Sequence, residues 1–109
     1  MLFRSCVSLT QTSDYRIKQN AVDIDETMTV DGLRPVLYNN QLSGKQEMGF
    51  LAHEVQAIIP LIVSGEKDGL NPDGSELHQG VDYGRLTTVL VKAIQELKAE
   101  FDAYKATHP

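Results

Sequence analysis

The apolar positions of this chain follow a sustained helical period only towards its C-terminal end. There, large apolar side chains recur at alternating steps of four and three residues, at Leu90, Ile94, Leu97, Phe101 and Tyr104. Heptad spacing of this kind is typical of a helix that buries one stripe against a partner helix. The opposite face is polar, with Lys92, Glu96, Lys98 and Glu100. We therefore predict a long terminal helix, capped by Asp82, whose stripe forms a seam between subunits; packing inside one domain is the alternative.

Shorter apolar runs upstream predict strands and brief helices. Residues 33–38 can form a strand with Pro35 near its start, and the turn residues at 39–45 lead into a second apolar run at 48–52, so the two would pair as a hairpin. Residues 53–59 have helical spacing that Pro60 ends, and residues 61–63 resemble a short buried strand. The pattern as a whole predicts a small α+β domain.

Polar stretches separate these elements. Residues 64–80 are rich in Gly, Asp, Asn and Ser, and Asn-Pro-Asp-Gly at 71–74 predicts a turn at the tip of a loop or long hairpin. Near the start, capping residues at 12–14 precede a possible helical turn at 15–19, and Asp25 could cap a brief helix that Gly32 ends.

Composition narrows the function classes. The chain has 109 residues with 41% hydrophobic and 23% charged positions, which is typical of one soluble domain. A net charge of -5 with scattered Lys and Arg argues against nucleic-acid binding. No apolar run approaches the roughly 20 residues that span a bilayer, so we expect no membrane partner. The single cysteine, Cys6, excludes an internal disulfide.

Ser13 and Lys18 are the candidate reactive pair, with Asp14 and Arg16 between them. A neutral lysine amine can take the proton of a serine nucleophile, and a cationic neighbour such as Arg16 would favour the neutral amine. Five residues on a continuous α-helix rotate by about 140°, off one face. The pair therefore needs Ser13 outside the helix as its cap, or Lys18 from a neighbouring chain. On spacing alone, a serine that only caps a helix is the more common case.

Other motifs give weaker signals. His53-Glu54-Val55-Gln56 begins like a zinc-protease helix, but Gln56 stands where the second histidine ligand should be. Residues 43–45 lack the upstream glycine of a phosphate-binding loop, and the carboxylates of residues 68–76 do not have calcium-loop spacing. We expect no metal and no cofactor.

Several blocks of residues carry a resemblance to a known family. They are Ser-Asp-x-Arg-x-Lys at 13–18, Leu-Arg-Pro-Val-x-Tyr at 33–38, Gly-Phe-Leu-Ala-His-Glu-Val-Gln at 49–56, Pro60, Val-Asp-Tyr-x-x-Leu at 81–86, and Leu-Val-x-Ala-Ile-x-Glu-Leu at 90–97. In this order the chain resembles the endosialidase-type intramolecular chaperones of phage tailspikes and tail fibres, some large-virus proteins and myelin regulatory factor-like proteins. At position 53 the family more often has Gln than His.

The resemblance implies a chaperone that cleaves itself once. Domains of this family form a homotrimer, help an upstream β-rich fibre or spike of the same chain to fold, and then release themselves. It implies that Ser13 is the nucleophile and Lys18 its base, that the cut falls between Thr12 and Ser13, and that no other protein is a substrate. Asp14 and Arg16 would support the pair.

The resemblance also implies a domain division and a setting. Residues 1–12 would be the end of an upstream stalk or tail, and residues 13–109 the chaperone and autoprotease domain. A virion precursor assembled in the host cytoplasm would lose this domain after cleavage.

Two other functions stay open at this level. One is an oligomerisation or adaptor module in which Ser13 is only a helix cap and no bond is cut. The other is a conventional hydrolase, which the lack of a Gly-x-Ser-x-Gly motif argues against.

Overall fold

The computed structural model describes residues 10–109, so Cys6 and residues 1–9 of the predicted upstream segment lie outside it. Two short antiparallel strand pairs, one short helix and one long C-terminal helix make up the fold, which confirms the predicted α+β class. In chain order the elements are a 3-10 turn Tyr15–Ile17, β1 Val36–Asn39, β2 Gln46–Gly49, α1 Ala52–Gln56, a 3-10 turn Pro60–Ile62, β3 Val63–Ser64, β4 Gly80–Val81 and α2 Tyr83–Thr107.

The predicted hairpin is present with different strand bounds. β1 pairs with β2 from Val36 opposite Gly49 to Asn39 opposite Gln46. The first strand begins after Pro35 because proline has no N–H to give to a ladder. The prediction that the second strand reaches residue 52 was wrong: pairing ends at Gly49, and Phe50 N–H donates instead to the Tyr83 hydroxyl at 3.0 Å.

Three helix and strand predictions also needed correction. The helix expected over 53–59 is α1, which ends at Gln56, and Ile59 N–H still reaches the Val55 carbonyl at 2.7 Å. The strand expected at 61–63 is mostly a 3-10 turn that begins at Pro60, whose fixed φ suits the first helical position. The brief helix expected after Asp25 is only a hydrogen-bonded turn.

The polar segment between β3 and β4 is the tip of a long hairpin. This is one of the two forms, a loop or a long hairpin, that the sequence predicted. β3 and β4 pair through Val63 opposite Val81, and an isolated bridge joins Leu70 to Glu76 further out. Gly74, at φ +88°, has the left-handed backbone that the predicted turn requires.

The core lies where α1 and the second 3-10 turn meet the first turns of α2. Buried side chains among the described residues are Val55, Ile59, Ile62, Leu86 and Val89. Partly buried apolar residues from the segment before β1, including Ile24 and Met28, cover one side. Each fully buried aliphatic side chain contributes about 1.5–3 kcal/mol, so this small cluster has to hold most of the tertiary structure.

Helix α2 reaches far beyond that core. Asp82 caps it as predicted, accepting from Arg85 N–H at 3.0 Å. Its 25 residues span about 37 Å, and the described residues are elongated, 62 Å along the longest axis. In the part of the chain that the structure covers, no helix is both long and apolar enough to cross a membrane.

Removing methyl groups from Ile59 tests this account of the core. Ile59 is 2% exposed. Ile59→Ala should lower the free energy of unfolding by about 2–5 kcal/mol and Ile59→Val by about 0.5–1.5 kcal/mol, because a larger cavity loses more contacts. Denaturant unfolding at one fixed protein concentration measures both. Equal, small losses for the two variants would place Ile59 outside the core.

Candidate functional site

The chain around Ser13 folds into one tight turn. Asp14 caps the 3-10 turn Tyr15–Ile17: its carboxylate accepts from Arg16 N–H at 2.8 Å, and its carbonyl accepts from Ile17 N–H at 3.1 Å. Lys18 closes the turn by donating its N–H to the Tyr15 carbonyl at 3.1 Å. Ser13 lies just before the cap. The idea that Ser13 itself caps this helix is therefore wrong, because the carboxylate one residue later takes that place.

This turn brings the side chains of the candidate pair together within one chain. Lys18 Nζ lies 2.5 Å from Ser13 Oγ and donates to it. Asp14 and Lys18, on either side of the turn, have extended backbones, so the 100° rotation per residue of an α-helix does not separate the pair. The described residues need neither of the two arrangements that the spacing left open, because Ser13 is not the cap and the pair meets without a neighbouring chain.

Asp14 and Arg16 form a two-point ion pair beside the reactive pair. Arg16 Nε donates to one carboxylate oxygen of Asp14 at 3.0 Å and Nη2 to the other at 2.8 Å. These hydrogen bonds lower the pKa of Asp14 and raise that of Arg16. Asp14 is thus occupied by Arg16, and the positive charge that could favour a neutral lysine is partly offset by its own partner.

Ser13 and Lys18 open into a cavity of about 450 Å³. Gln11 and Thr12 line it from the upstream side, Ile62 lies among its apolar walls, and Arg85 and Thr88 line it from α2. The residues on both sides of the predicted scissile bond therefore share one space with the first turns of the long helix.

The start of α2 is the part of the site that sequence reasoning missed. The helix was predicted from its heptad stripe, which begins at Leu90, whereas the cavity is lined by Gly84, Arg85 and Thr88, which come before that stripe. The only sequence signal was the Val-Asp-Tyr block at 81–83, which places a helix cap directly after a strand.

Side-chain contacts fix the sequence blocks that carry the family resemblance in place. Arg34 makes a two-point ion pair with Glu54, at 2.9 and 3.2 Å, and this contact lowers the pKa of the Glu54 carboxyl. Gln56 donates to the Gly65 carbonyl at 3.1 Å and accepts from Gln79 at 2.9 Å. Glu54 and Gln56 of the His53-Glu54-Val55-Gln56 segment thus join elements to one another.

The same segment offers no metal centre in the described structure. Among residues 10–109, no group of three or more His, Cys, Asp or Glu side chains is placed to hold a metal ion. Glu54 and Gln56 are engaged as described above.

Comparison with known proteins adds a decisive observation to this geometry. Residues 13–64 match the family model Peptidase_S74, described as chaperone of endosialidase. This match supports an endosialidase-type chaperone domain in this part of the chain. No curated protein matches the chain. The matched region begins at Ser13 and contains Lys18, the β1–β2 hairpin and α1.

Glycine at position 49 lets the hairpin reach α2. A β-carbon built on Gly49 would lie 2.5 Å from the Tyr83 hydroxyl oxygen, closer than real β-carbons come to any atom. That hydroxyl accepts from Phe50 N–H at 3.0 Å. A side chain at position 49 would therefore push the first residue of α2 away from the end of β2.

A double-mutant cycle tests this contact. Gly49→Ala should lower the free energy of unfolding by about 1–3 kcal/mol, because the added methyl group overlaps the hydroxyl. Tyr83→Phe removes the hydroxyl, so adding Gly49→Ala to Tyr83→Phe should cost clearly less than Gly49→Ala alone. Thermal or denaturant unfolding of the four proteins gives the coupling. Strictly additive losses would contradict the predicted overlap.

Proposed function

We propose that this chain is a C-terminal intramolecular chaperone that trimerises, assists the folding of an upstream β-rich fibre or spike, and releases itself by cutting between Thr12 and Ser13. One observation carries the proposal: Lys18 Nζ lies 2.5 Å from Ser13 Oγ, and Ser13 is the first residue of the family match. A serine and a lysine in contact form a nucleophile and a base without any third residue.

The proposed cut proceeds in two steps. Ser13 Oγ attacks the carbonyl carbon of Thr12 while neutral Lys18 takes the hydroxyl proton. The C–N bond then breaks as Lys18 returns that proton to the Ser13 nitrogen, which leaves Thr12 as an ester on Ser13 Oγ. Water hydrolyses the ester, so that the Thr12 carboxylate leaves and the Ser13 hydroxyl is restored. The reaction runs once per chain, and we expect no substrate in trans.

Backbone N–H groups at the start of the turn are candidates to stabilise the oxyanion, but two of them are occupied. Arg16 N–H donates to the Asp14 carboxylate and Ile17 N–H to the Asp14 carbonyl. In this turn, the N–H groups of Asp14 and Tyr15 are therefore the candidate donors to the oxyanion. Asp14 then acts by shaping the turn, with Arg16 as its partner.

The uncovered stripe of α2 supports the proposed trimer. All five seam residues are 45–68% exposed in the single chain, at Leu90, Ile94, Leu97, Phe101 and Tyr104. Large apolar side chains exposed one after another along one helix face favour an interaction site. Its heptad period suits a coiled seam between copies of the same helix.

Assembly would also change the surroundings of the reactive pair. Ser13 and Lys18 are exposed in the single chain, and the neighbouring side chains of Tyr15 and Ile17 are 83% and 65% exposed. Burial favours a neutral amine over an ammonium ion. Cover from a second subunit would therefore prepare Lys18 as a base, which is why we expect the cut to depend on trimerisation.

The proposed chaperone role has a kinetic reason. β-rich trimeric stalks depend on pairing between distant or separate chains, which is slow and prone to register errors. A C-terminal seam keeps three copies together and raises the effective concentration of their stalk segments. Cutting at Ser13 then separates the domain of residues 13–109 from an upstream segment that ends with residues 1–12, and leaves the stalk kinetically trapped.

Substituting the reactive pair tests the cut. Ser13→Ala removes the nucleophile and Lys18→Ala the base, so each should leave full-length chain while trimers still form. Lys18→Arg should fail as well, because guanidinium stays protonated. Intact mass and N-terminal sequencing of the products decide the outcome. Cleavage of Ser13→Ala at the same bond would point to another protease, and an uncut wild-type trimer would favour the non-cleaving module.

The rate of the cut should fall as the pH is lowered, because only a neutral amine accepts the serine proton. Asp14 should not produce this effect. Its pKa is lowered by Arg16, so its carboxylate stays charged, and keeps its stabilising contact, until the pH falls through that lowered value. A cleavage rate that is flat from about pH 5 to 9 would contradict a lysine base.

A charge in the seam tests the trimer. Leu97→Asp would bury three unpaired carboxylates around one axis and should cost several kcal/mol, enough to shift the assembly to smaller species. Gln95→Asp is the matched control, since Gln95 lies off the apolar stripe and is exposed. Analytical ultracentrifugation measures both. A Leu97→Asp variant that sediments like Gln95→Asp would remove the stripe from the interface.

A further inference from the structure

The residues that precede the proposed cut form part of the wall of the cavity beside Ser13. Gln11 and Thr12 line it together with Ser13 and Lys18, and on the α2 side it is bounded by Gly84 and Arg85. A hydrogen bond ties Arg85 to its cap, since its backbone N–H donates to Asp82 at 3.0 Å. The wall that faces the upstream residues is thus fixed by the start of the helix.

Gly84 stands opposite Gln11 in this cavity. A β-carbon built on Gly84 would lie 3.8 Å from Gln11 Oε1 and 3.4 Å from Asp82 Oδ1, which are ordinary van der Waals distances. A methyl group therefore fits at position 84. A longer side chain on that bond would need the space that the Gln11 amide takes.

The helix backbone gives no reason for glycine at this position. Gly84 lies in the first turn of α2 and is not among the residues with positive φ. Glycine weakens a helix relative to alanine, because it loses more backbone freedom on folding. A small residue at this position leaves open space towards the upstream segment, which a side chain longer than a methyl group would fill.

We infer that Gly84 is a specificity-determining residue of the self-cleavage site, an inference that rests on the proposed function. Its missing side chain lets α2 accept the side chain two residues before the scissile bond. The site then takes upstream segments whose side chain at position 11 has about the size of glutamine, and a bulky group on either side displaces the Thr12 carbonyl from Ser13. The helix that carries the proposed seam therefore also selects what is cut.

The experiment follows self-cleavage of the full 109-residue chain by intact mass, which separates residues 1–12 from 13–109. Gly84→Leu should slow the cut about tenfold or more, since a displacement near 1 Å can cost far more than this. Gly84→Ala should slow the cut far less than Gly84→Leu, because a methyl group makes only ordinary van der Waals contacts at this position. Gln95→Leu is the matched control: it lies 11 residues later on the same face of α2, about 16 Å away.

Compensation identifies Gln11 as the group that is displaced. Gln11→Gly in the Gly84→Leu chain should restore most of the rate, and Gln11→Trp with Gly84 intact should slow the cut without lowering the melting temperature. If Gly84→Leu fails to fold, the Gln11→Trp chain still decides, because Gln11 is exposed and outside the core.

The outcomes separate this inference from the proposed function. If the wild-type chain is never cut, the result contradicts both the proposed function and this inference. A wild-type chain that is cut, while Gln11→Trp is cut at the same rate, overturns the role of Gly84 alone. A slow Gly84→Leu chain that Gln11→Gly does not rescue overturns it too, since the loss then comes from the Asp82 cap.

Discussion

The packing of Leu86 and Val89 against Val55, Ile59 and Ile62 determines where the rest of the structure lies. These side chains are the buried ones among the described residues, and they come from only three short stretches of chain. Since a cluster of this size stabilises a domain only modestly, each element has to be placed by contacts with it. β3 and β4, the second 3-10 turn and the segment carrying Ile24 and Met28 all pack around it.

One consequence is that α2 contributes residues to the core, to the cavity and to an exposed apolar stripe. Its first turns complete the core, the same turns line the cavity beside Ser13, and its later turns leave the seam residues uncovered. A rigid helix transmits the position of one surface to another, because its residues are fixed at 1.5 Å and 100° per step. The proposed assembly along the apolar stripe and the geometry at the proposed cut therefore both depend on this one helix.

Another consequence of the small core is that specific polar contacts fix the orientation of elements that the core alone does not hold. The Arg34–Glu54 ion pair, the Gln56–Gln79 hydrogen bond and the Tyr83 hydroxyl each join elements that are distant in sequence. Such contacts contribute modestly to stability where they are exposed, but they fix orientation because their geometry is directional. They explain why the family-like blocks contain polar residues at positions that carry no chemistry in the proposed reaction.

Features governed by neighbouring residues could be predicted from the sequence. The long helix with its Asp82 cap, the turn at residues 71–74 and the strand start after Pro35 all follow from local hydrogen bonding and helical period. The choice of Ser13 and Lys18 as partners came from the family resemblance, since their spacing alone favours a simple cap. Only the tertiary structure decided that Asp14 rather than Ser13 caps the turn, that Ser13 and Lys18 meet within one chain, and that Gly49 and Gly84 leave room for Tyr83 and Gln11. The glycine contacts join residues 33 or more positions apart, as the Phe50–Tyr83 hydrogen bond does, and no local period carries information over that distance. For the reactive pair the reason is different: five residues can lie apart or together, and the backbone on either side of a single 3-10 turn determines which.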